Sequence, residues 1–267
     1  MQVRHDFSAT ALAAAIEDNG AEFLVAMGRA AGGEEGNDAV RWTIGGSPID
    51  YHNAVVAAPL DAEDADAAIA ASIARMRAHD VPGSWHLGPG MTPADLGQRL
   101  VDHGFHYAGD DIGMAADLGE LQQSSMPAGL TISRVETPGD FGAWVETLGQ
   151  GFGDGATEAS WVGDICLELG LANPAWRHYL GRLDGTPVAT ATLFLGAGVA
   201  GIYFVFTLPE ARRRGIGAAV TLAPLLEARA LGYRIGVLGA STMGEPVYRR
   251  IGFREYCRIG LFEWQGE

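Results

Sequence analysis

Residues 207–218 read TLPEARRRGIGA and lie between a predicted strand, Gly201 to Leu208, and a predicted helix, Gly215 to Leu231. Glycines at 215 and 217 let the backbone approach a ligand closely, and the first amides of a helix are unpaired donors. The helix dipole favours negative charge at that end, and three consecutive arginines add charge and forked donors. The segment therefore predicts an anion site, with a diphosphate as its natural ligand.

The loop sequence does not match either of two common nucleotide-binding motifs. The dinucleotide fingerprint GxGxxG/A would need Gly or Ala where Val220 stands, and about twenty residues further on the chain has Arg234 in place of an acid. The phosphate loop needs a lysine, but all 18 basic residues are arginines, which also excludes Schiff-base chemistry. The remaining alternative is a basic helix start that contacts only solvent.

Composition indicates a globular protein that acts on small molecules. The chain has 267 residues, 48% hydrophobic and 19% charged, which suits one large domain or two small ones. A net charge of -15 argues against binding of nucleic acid or an anionic membrane through the general field of the protein. Cys166 and Cys257 lie far apart without CxxC spacing, so neither a disulfide framework nor a zinc cluster is indicated.

Two apolar segments bear on targeting and membrane insertion. The apolar run near the N-terminus ends in acids and lacks a small-residue cleavage site, so we expect a cytoplasmic protein. Gly185 to Pro209 is uncharged and long enough to span a bilayer. It divides at Gly196 to Gly198 into two runs of β-branched and aromatic residues, which favours two buried strands over a membrane span.

The second half of the chain predicts alternating strands and helices. Strands are expected at Leu130–Val135, Trp176–Leu183, Val188–Leu195, Gly201–Leu208, Arg234–Ala240 and Phe253–Trp264, the last as one strand or a pair. Helices are expected at Pro138–Gly151, Glu158–Leu171, Gly215–Leu231 and Glu245–Ile251. Pro224 lacks an amide donor and should kink or shorten the third of these helices.

The first half repeats parts of this order more faintly. Strands are predicted at Val40–Thr43, Asn53–Ala57 and Ser84–Leu87, with helices at Asp61–Ala78 and from Pro93 to Gly104. The last helix ends in Gly104-Phe105, as Tyr248-Arg-Arg-Ile-Gly252-Phe253 ends in the second half. This similarity suggests a duplicated unit, although Gly and an apolar residue also form an ordinary helix stop.

A polar segment separates the two halves. Residues 119–129, GELQQSSMPAG, have the composition of a linker. Residues 1–119 carry 18 acids against 6 arginines, a stronger acidic excess than in the rest of the chain. We therefore predict a first domain at residues 1–119, a linker at 120–129 and a second domain at 130–267.

Two motifs in order resemble the GNAT superfamily of acyl-coenzyme A dependent N-acyltransferases. Arg212-x-x-Gly215-x-Gly217 is similar to the family signature Arg/Gln-x-x-Gly-x-Gly/Ala, and Tyr248-x-x-x-Gly252-Phe253 to its C-terminal Tyr-x-x-x-Gly-Phe. The resemblance covers about residues 130–264, and residues 1–119 resemble a degenerate copy without the arginine-rich loop. It implies an α/β fold of two GNAT-like units, with a mixed, mostly antiparallel central sheet flanked by helices.

The resemblance also implies a site for acetyl-coenzyme A. Loop amides would hold the diphosphate, and the edge of the preceding strand would pair with the pantetheine arm and polarise the thioester carbonyl. Tyr248 would protonate the departing thiolate, unless it is a packed core tyrosine. Ser241 replaces an Asn common in the family and could substitute for it only in part. The implied coenzyme-binding residues are Val205, Phe206, Thr207, Arg212, Arg213, Arg214, Gly215, Ile216, Gly217, Ala218 and Ser241.

The acceptor side is less defined. Asp154 and Glu158 lie where the family's variable acceptor helices lie, so either could bind a cationic amine or act as base, but solvated loop acids are favoured. Tyr203 is a weak acceptor-site candidate. His103 and His106 have no accompanying ligand pair, which favours surface or packing roles over a metal site.

The resemblance therefore implies an N-acetyltransferase that moves an acetyl group from acetyl-coenzyme A to a primary amine of a small molecule or peptide. The amine would attack directly in a ternary complex, because neither cysteine lies in an activating motif. The alternatives are a non-catalytic acyl-coenzyme A binding module and transfer to a thiol, an alcohol or a protein N-terminus. No metal, nucleic acid or membrane partner is expected. The oligomeric state is open, with a homodimer among the alternatives.

Overall fold

The structure is a computed structural model, and it describes residues 2–37, 39–122 and 125–266. Its helices are α1 Ala9–Ala30, α2 Ala65–Ala78, α3 Leu96–Asp102, α4 Pro138–Gly149, α5 Ala156–Leu169, α6 Ile216–Ala230 and α7 Glu245–Arg250. Its strands are β1 Glu34–Asn37, β2 Arg41–Ile44, β3 Ala54–Ala57, β4 Gly83–Leu87, β5 His106–Asp117, β6 Leu130–Arg134, β7 Trp176–Leu183, β8 Thr186–Gly196, β9 Val199–Thr207, β10 Ile235–Ala240 and β11 Arg254–Trp264.

The chain divides into two compact units, and neither is continuous in sequence. The major unit comprises Met1–Asn19 and Met114–Tyr256, and the minor unit comprises Gly20–Gly113 and Cys257–Glu267. Each unit therefore takes one segment from the far side of the polar linker. The linear domains 1–119 and 130–267 stay a prediction, since compactness groups the chain differently.

The sheet of the major unit has the strand order β5-β10-β9-β8-β7-β6. β6, β7, β8 and β9 pair antiparallel in sequence order, and β10 pairs parallel with β9 after the crossover helix α6. The uncharged stretch that could have been a membrane span forms most of β8 and β9, as expected for two buried strands. Within the described part of the chain, no helix is both long and apolar enough to cross a bilayer.

The sheet of the minor unit repeats this arrangement on a smaller scale. β1, β2 and β3 pair antiparallel, β4 pairs parallel with β3 after helix α2, and β11 and β5 follow β4 in the strand order. The succession β3-α2-β4-α3-β5 thus matches β9-α6-β10-α7-β11 element for element. The predicted fold class, a mixed and mostly antiparallel sheet with helices packed on it, is confirmed.

Apolar residues at the predicted positions form separate cores. In the major unit, α6 packs small and aliphatic residues against Leu130 of β6 and against β8. In the minor unit the core contains Trp85, Trp264 and aliphatic residues of α2 and α3. Burial of such side chains supplies the main driving force for folding.

Pro224 does not shorten α6, so that part of the prediction was wrong. The helix continues from Ile216 to Ala230 with Pro224 buried inside it. A proline removes only one helical hydrogen bond, and α6 is fixed on both sides of it by buried Val220 and Leu225. Tertiary packing therefore outweighs the local loss.

Candidate functional site

The parallel strands β9 and β10 bring the predicted site residues to one edge of the sheet. β9 ends at Thr207 and β10 at Ala240, and parallel strands place their carboxyl ends at the same edge. The loop to α6 and the turn to α7 therefore start side by side, and α6 contacts α7. The structure thus unites two motifs that lie some thirty residues apart in sequence.

β9 and β10 pair only at the start of β9. The register joins Ala200 to Gly236 and Gly201 to Val237, and none of the described β10 residues continues it toward the carboxyl edge. On the other side of β9, residues 199–203 and 206–207 pair with β8. One side of β9 is therefore left with backbone groups that a ligand can pair with.

A bulge interrupts β9 in this unpaired part. Thr190 of β8 faces Phe206, and Thr192 faces Tyr203, so the segment of β9 is one residue longer than its partner. Phe204 has a φ of 50°, in the left-handed region that residues other than glycine seldom occupy. The Thr190 hydroxyl donates a hydrogen bond of 2.8 Å to the Phe204 carbonyl, and this bond is buried. Sequence alternation gave no sign of the bulge.

The loop after β9 presents its arginines in two different ways. The Arg212 Nε donates to the Thr207 carbonyl at 3.0 Å, and its guanidinium lies 5.7 Å from the centre of the Phe206 ring. Arg212 therefore holds the loop in contact with the end of β9. Arg213 and Arg214 are exposed beside the start of α6 and form no ion pair with the described residues.

The residue that caps the start of helix α6 is Gly215, whose backbone conformation favours glycine. Gly215 has a φ of 79° and lies in the left-handed region, and Arg213 two residues earlier also has a positive φ of 60°. Successive amides in such turns form concavities that bind anions. Ile216 is 1% exposed and packs into the core, so only its backbone can serve a ligand. Gly217 and Ala218 lie half-buried in the first turn of the helix.

Ser241 and Tyr248 follow β10 at the same edge. The Ser241 hydroxyl accepts a hydrogen bond from the Gly244 amide at 3.2 Å and so caps the turn before α7. Tyr248 is 9% exposed, its ring packs against Gly244, and its centroid lies 6.2 Å from that of Phe253. Burial raises the pKa of Tyr248 to about 12, so the phenol stays protonated at neutral pH. Its hydroxyl has no hydrogen-bond partner among the described residues.

The candidate acids of the acceptor side have unequal environments. Glu158 is fully buried, and its Oε2 accepts a hydrogen bond from the Asp154 amide at 3.1 Å. The prediction of a solvated loop acid was therefore wrong for Glu158, which caps the first turn of α5. Asp154 is exposed, as expected for a loop acid.

Tyr203 has a partner that sequence reasoning missed. Its hydroxyl donates to the Asn19 Oδ1 at 2.7 Å, and the Asn19 Nδ2 donates to the Gly196 carbonyl at 2.9 Å. Asn19 is fully buried and joins the N-terminal helix to β8 and β9 across more than 170 residues of sequence. Because no local pattern marks such a contact, only the tertiary structure reveals it.

His103 and His106 serve separate local contacts. The His103 Nδ1 lies 2.8 Å from the Arg99 carbonyl, and the His106 Nε2 lies 3.0 Å from a Glu263 carboxylate oxygen. Among residues 2–37, 39–122 and 125–266, no group of three or more histidine, cysteine or acidic side chains is arranged to hold a metal ion.

The minor unit has no comparable loop at the equivalent place. Acids at 61, 63 and 64 precede α2 where the arginines precede α6. Thr92 also donates to the Ala58 carbonyl at 3.1 Å and, through its hydroxyl, to the Leu60 carbonyl at 2.8 Å. These bonds occupy the backbone that follows β3, where β9 leaves its own backbone open.

Comparison with known proteins agrees with this geometry. Residues 150–253 match the model of the acetyltransferase (GNAT) family. This segment is therefore similar to a GNAT domain. That match begins in the loop between α4 and α5 and ends just after α7, so it includes both motifs at the sheet edge. No curated protein matches the chain.

Solved structures share the fold along most of the chain. A GCN5-related N-acetyltransferase from Kribbella flavida is 21% identical with a TM-score of 0.73, covering 92% of this chain and 96% of its own. A functionally unknown conserved protein from Staphylococcus epidermidis is 14% identical with a TM-score of 0.67, covering 88% and 95%. A tandem GNAT protein from the clavulanic acid biosynthesis pathway is 17% identical with a TM-score of 0.58, covering 85% and 79%. At these identities the likeness concerns the fold alone.

Proposed function

We propose that this protein is an N-acetyltransferase that transfers the acetyl group of acetyl-coenzyme A to a primary amine of a small molecule or peptide. The match to the GNAT family supports acyl-coenzyme A dependent transfer in general. The observation that carries the proposal is the open side of β9, which leads directly to the left-handed Gly215 and the amino end of α6.

The residues present fit the coenzyme. Its diphosphate would lie on the amides of residues 215–218, where the helix dipole favours an anion, with exposed Arg213 and Arg214 adding charge. The pantetheine amides would pair with the backbone of Val205, Phe206 and Thr207, as an added strand pairs with a sheet edge. Arg212 and Ser241 would support coenzyme binding indirectly, because Arg212 holds the loop in place and Ser241 holds the turn.

Chemistry would consist of direct attack of the amine on the thioester carbon. Negative charge then develops on the carbonyl oxygen, and a fixed backbone amide of β9 stabilises it better than mobile water does. The attacking nitrogen would lose one proton to water as the amide forms. The departing thiolate would take one proton, for which Tyr248 is the candidate donor, and the phenolate would regain its proton from water. The acceptor would enter beside α4 and α5, where exposed Asp154 offers charge to a cationic amine.

The burial of Tyr248 also favours a second candidate, a non-catalytic acyl-coenzyme A binding module. With a pKa of about 12, the phenol is a weaker acid than a thiol, whose ordinary pKa is about 8.5, so full proton transfer would be uphill. A module would bind the coenzyme by the same loop without using Tyr248. Thiol release with a panel of amines separates the two functions, because only the enzyme releases coenzyme A in an amine-dependent way.

The first experiment compares two substitutions at one glycine. A Cβ at Gly217 would lie 3.6 Å from the Thr207 Oγ1, an ordinary contact, so Gly217→Ala should bind acetyl-coenzyme A like wild type. Gly217→Glu would place a negative side chain where the diphosphate lies and should abolish binding in calorimetric titration. If wild type itself shows no binding, or if Gly217→Glu binds equally well, the proposed coenzyme site is wrong.

A further inference from the structure

We propose that Thr190 is a positioning residue that aims the backbone amide of Val205 at the thioester carbonyl. This inference deepens the proposed function and rests on it. Thr190 lies on β8, is fully buried, and contributes the hydroxyl that binds the Phe204 carbonyl at 2.8 Å.

The direction of the Val205 amide follows from this hydrogen bond. β8 and β10 flank β9 on opposite sides. The Phe204 carbonyl points toward Thr190 on β8, and the Phe204–Val205 peptide is trans. In a trans peptide the carbonyl and the next N–H point in opposite directions. The Val205 N–H therefore points away from β8, toward the side that β10 leaves open.

The hydroxyl is needed because the backbone at this point is strained. Phe204 has a φ of 50°, and a residue other than glycine keeps such a conformation only when its surroundings hold it. The Phe204 ring packs against Trp144 and Phe152, with centroids 5.9 and 5.7 Å away, and this fixes the side chain. The Thr190 hydrogen bond fixes the carbonyl, and with it the peptide plane that carries the Val205 amide.

An amide held in this way is suited to polarise a carbonyl. Donors act as an oxyanion hole when they are already oriented before charge develops, and small displacements of a positioned group lower the rate strongly. Without the Thr190 hydroxyl the peptide plane loses this constraint, so the coenzyme would still bind by its diphosphate while its carbonyl lost the aligned donor. Thr190 thus affects the chemical step and leaves the binding step nearly unchanged.

Thr192 provides a matched control on the same strand. It is equally buried, but its hydroxyl lies 2.9 Å from the His178 Nδ1, and among the described residues it bonds no carbonyl of β9. Thr190→Val and Thr192→Val each exchange a hydroxyl for a methyl group of similar size. Thr190→Ser keeps the hydroxyl and should restore the wild-type behaviour.

The test measures binding and carbonyl polarisation separately. Calorimetry gives the Kd of acetyl-coenzyme A, and isotope-edited infrared spectroscopy of carbonyl-labelled acetyl-coenzyme A gives the thioester stretch in the bound state. We expect Thr190→Val to keep Kd within about twofold and to return the stretch toward its value in water, with kcat reduced about tenfold to a hundredfold. Thr190→Ser and Thr192→Val should resemble wild type.

The outcomes separate this inference from the proposed function. If wild type fails to bind acetyl-coenzyme A, the proposed function falls. If wild type binds and Thr190→Val keeps both the shifted stretch and kcat, the role of Thr190 is refuted while the proposed function stands. Circular dichroism checks folding, and Thr190→Ala, which removes the same hydroxyl, supplies the comparison if Thr190→Val does not fold.

Discussion

Alanine substitutions at Gly215, before α6, and at Gly217, in its first turn, should affect stability differently. Gly215 has a φ of 79°, and a Cβ there would meet only the Pro127 Cγ at 3.6 Å, so there is space but the backbone conformation is unfavourable. An L-residue in the left-handed region costs about 1–2 kcal/mol. The lower entropy of the unfolded chain offsets about 0.4–1 kcal/mol of this cost. Gly215→Ala should therefore destabilise the fold by about 1 kcal/mol.

Gly217 is the matched position. It lies in the first turn of α6 without a positive φ, and alanine is favoured over glycine in helices by up to about 1 kcal/mol. Gly217→Ala should therefore be neutral or stabilising, and the two variants should differ by about 1–2 kcal/mol.

Urea unfolding followed by circular dichroism measures the difference as a shift in midpoint at constant slope. Titration with acetyl-coenzyme A adds a second measurement, because a distorted Gly215 also misdirects the loop amides. Equal midpoints for the two variants would refute the argument, since they would mean that residue 215 has no need of the left-handed conformation.

Three further predictions concern other parts of the chain. Burial, assisted by the charge of Arg134, lowers the pKa of His178 to about 4 from its ordinary 6.5. Because the unfolded state then binds a proton at a higher pH than the folded state does, the free energy of unfolding should fall by up to about 3 kcal/mol as pH drops from 6.5 to 4. His178→Gln should flatten this dependence in unfolding curves measured at several pH values. Glu227 accepts hydrogen bonds from Arg177 and Tyr179, so Glu227→Gln should lower the free energy of unfolding by about 1–3 kcal/mol. The control is Glu35→Gln, at an exposed ion pair with Arg29, which should change the free energy of unfolding by less than about 1 kcal/mol. Calorimetry should give one acetyl-coenzyme A per chain, and residual binding by Gly217→Glu would contradict a single site in the major unit.

The elements at the sheet edge of the candidate site could be predicted because their signals are local. The strand before Thr207, the glycine that starts α6 and the helix of Tyr248 each depend on a few adjacent residues, and each was found within two residues of its predicted bounds. By contrast, α1 was missed, because its short apolar run is followed by Glu17 and Asp18 and its burial depends on distant strands. β5 was also missed, since its exposed first half reads as a polar segment.

The predicted domain boundary at the linker rests on composition, and it stays a prediction. The compact units group segments by contact, with Met1–Asn19 in the major unit and Cys257–Glu267 in the minor one. Contacts such as that of Asn19 with Gly196 depend on register in the folded sheet, and composition carries no information about register.

The orientation of a single peptide plane is the least predictable feature of the candidate site, and the proposed chemistry depends on it. Alternation along Gly201 to Leu208 predicts a regular strand, in which neighbouring amides face opposite edges in strict order. One additional residue between Tyr203 and Phe206 changes that order, and the hydroxyl of Thr190, on another strand, fixes the result. The proposed diphosphate site can therefore be inferred from a motif, whereas the proposed donor for the thioester carbonyl can be inferred only from the paired strands.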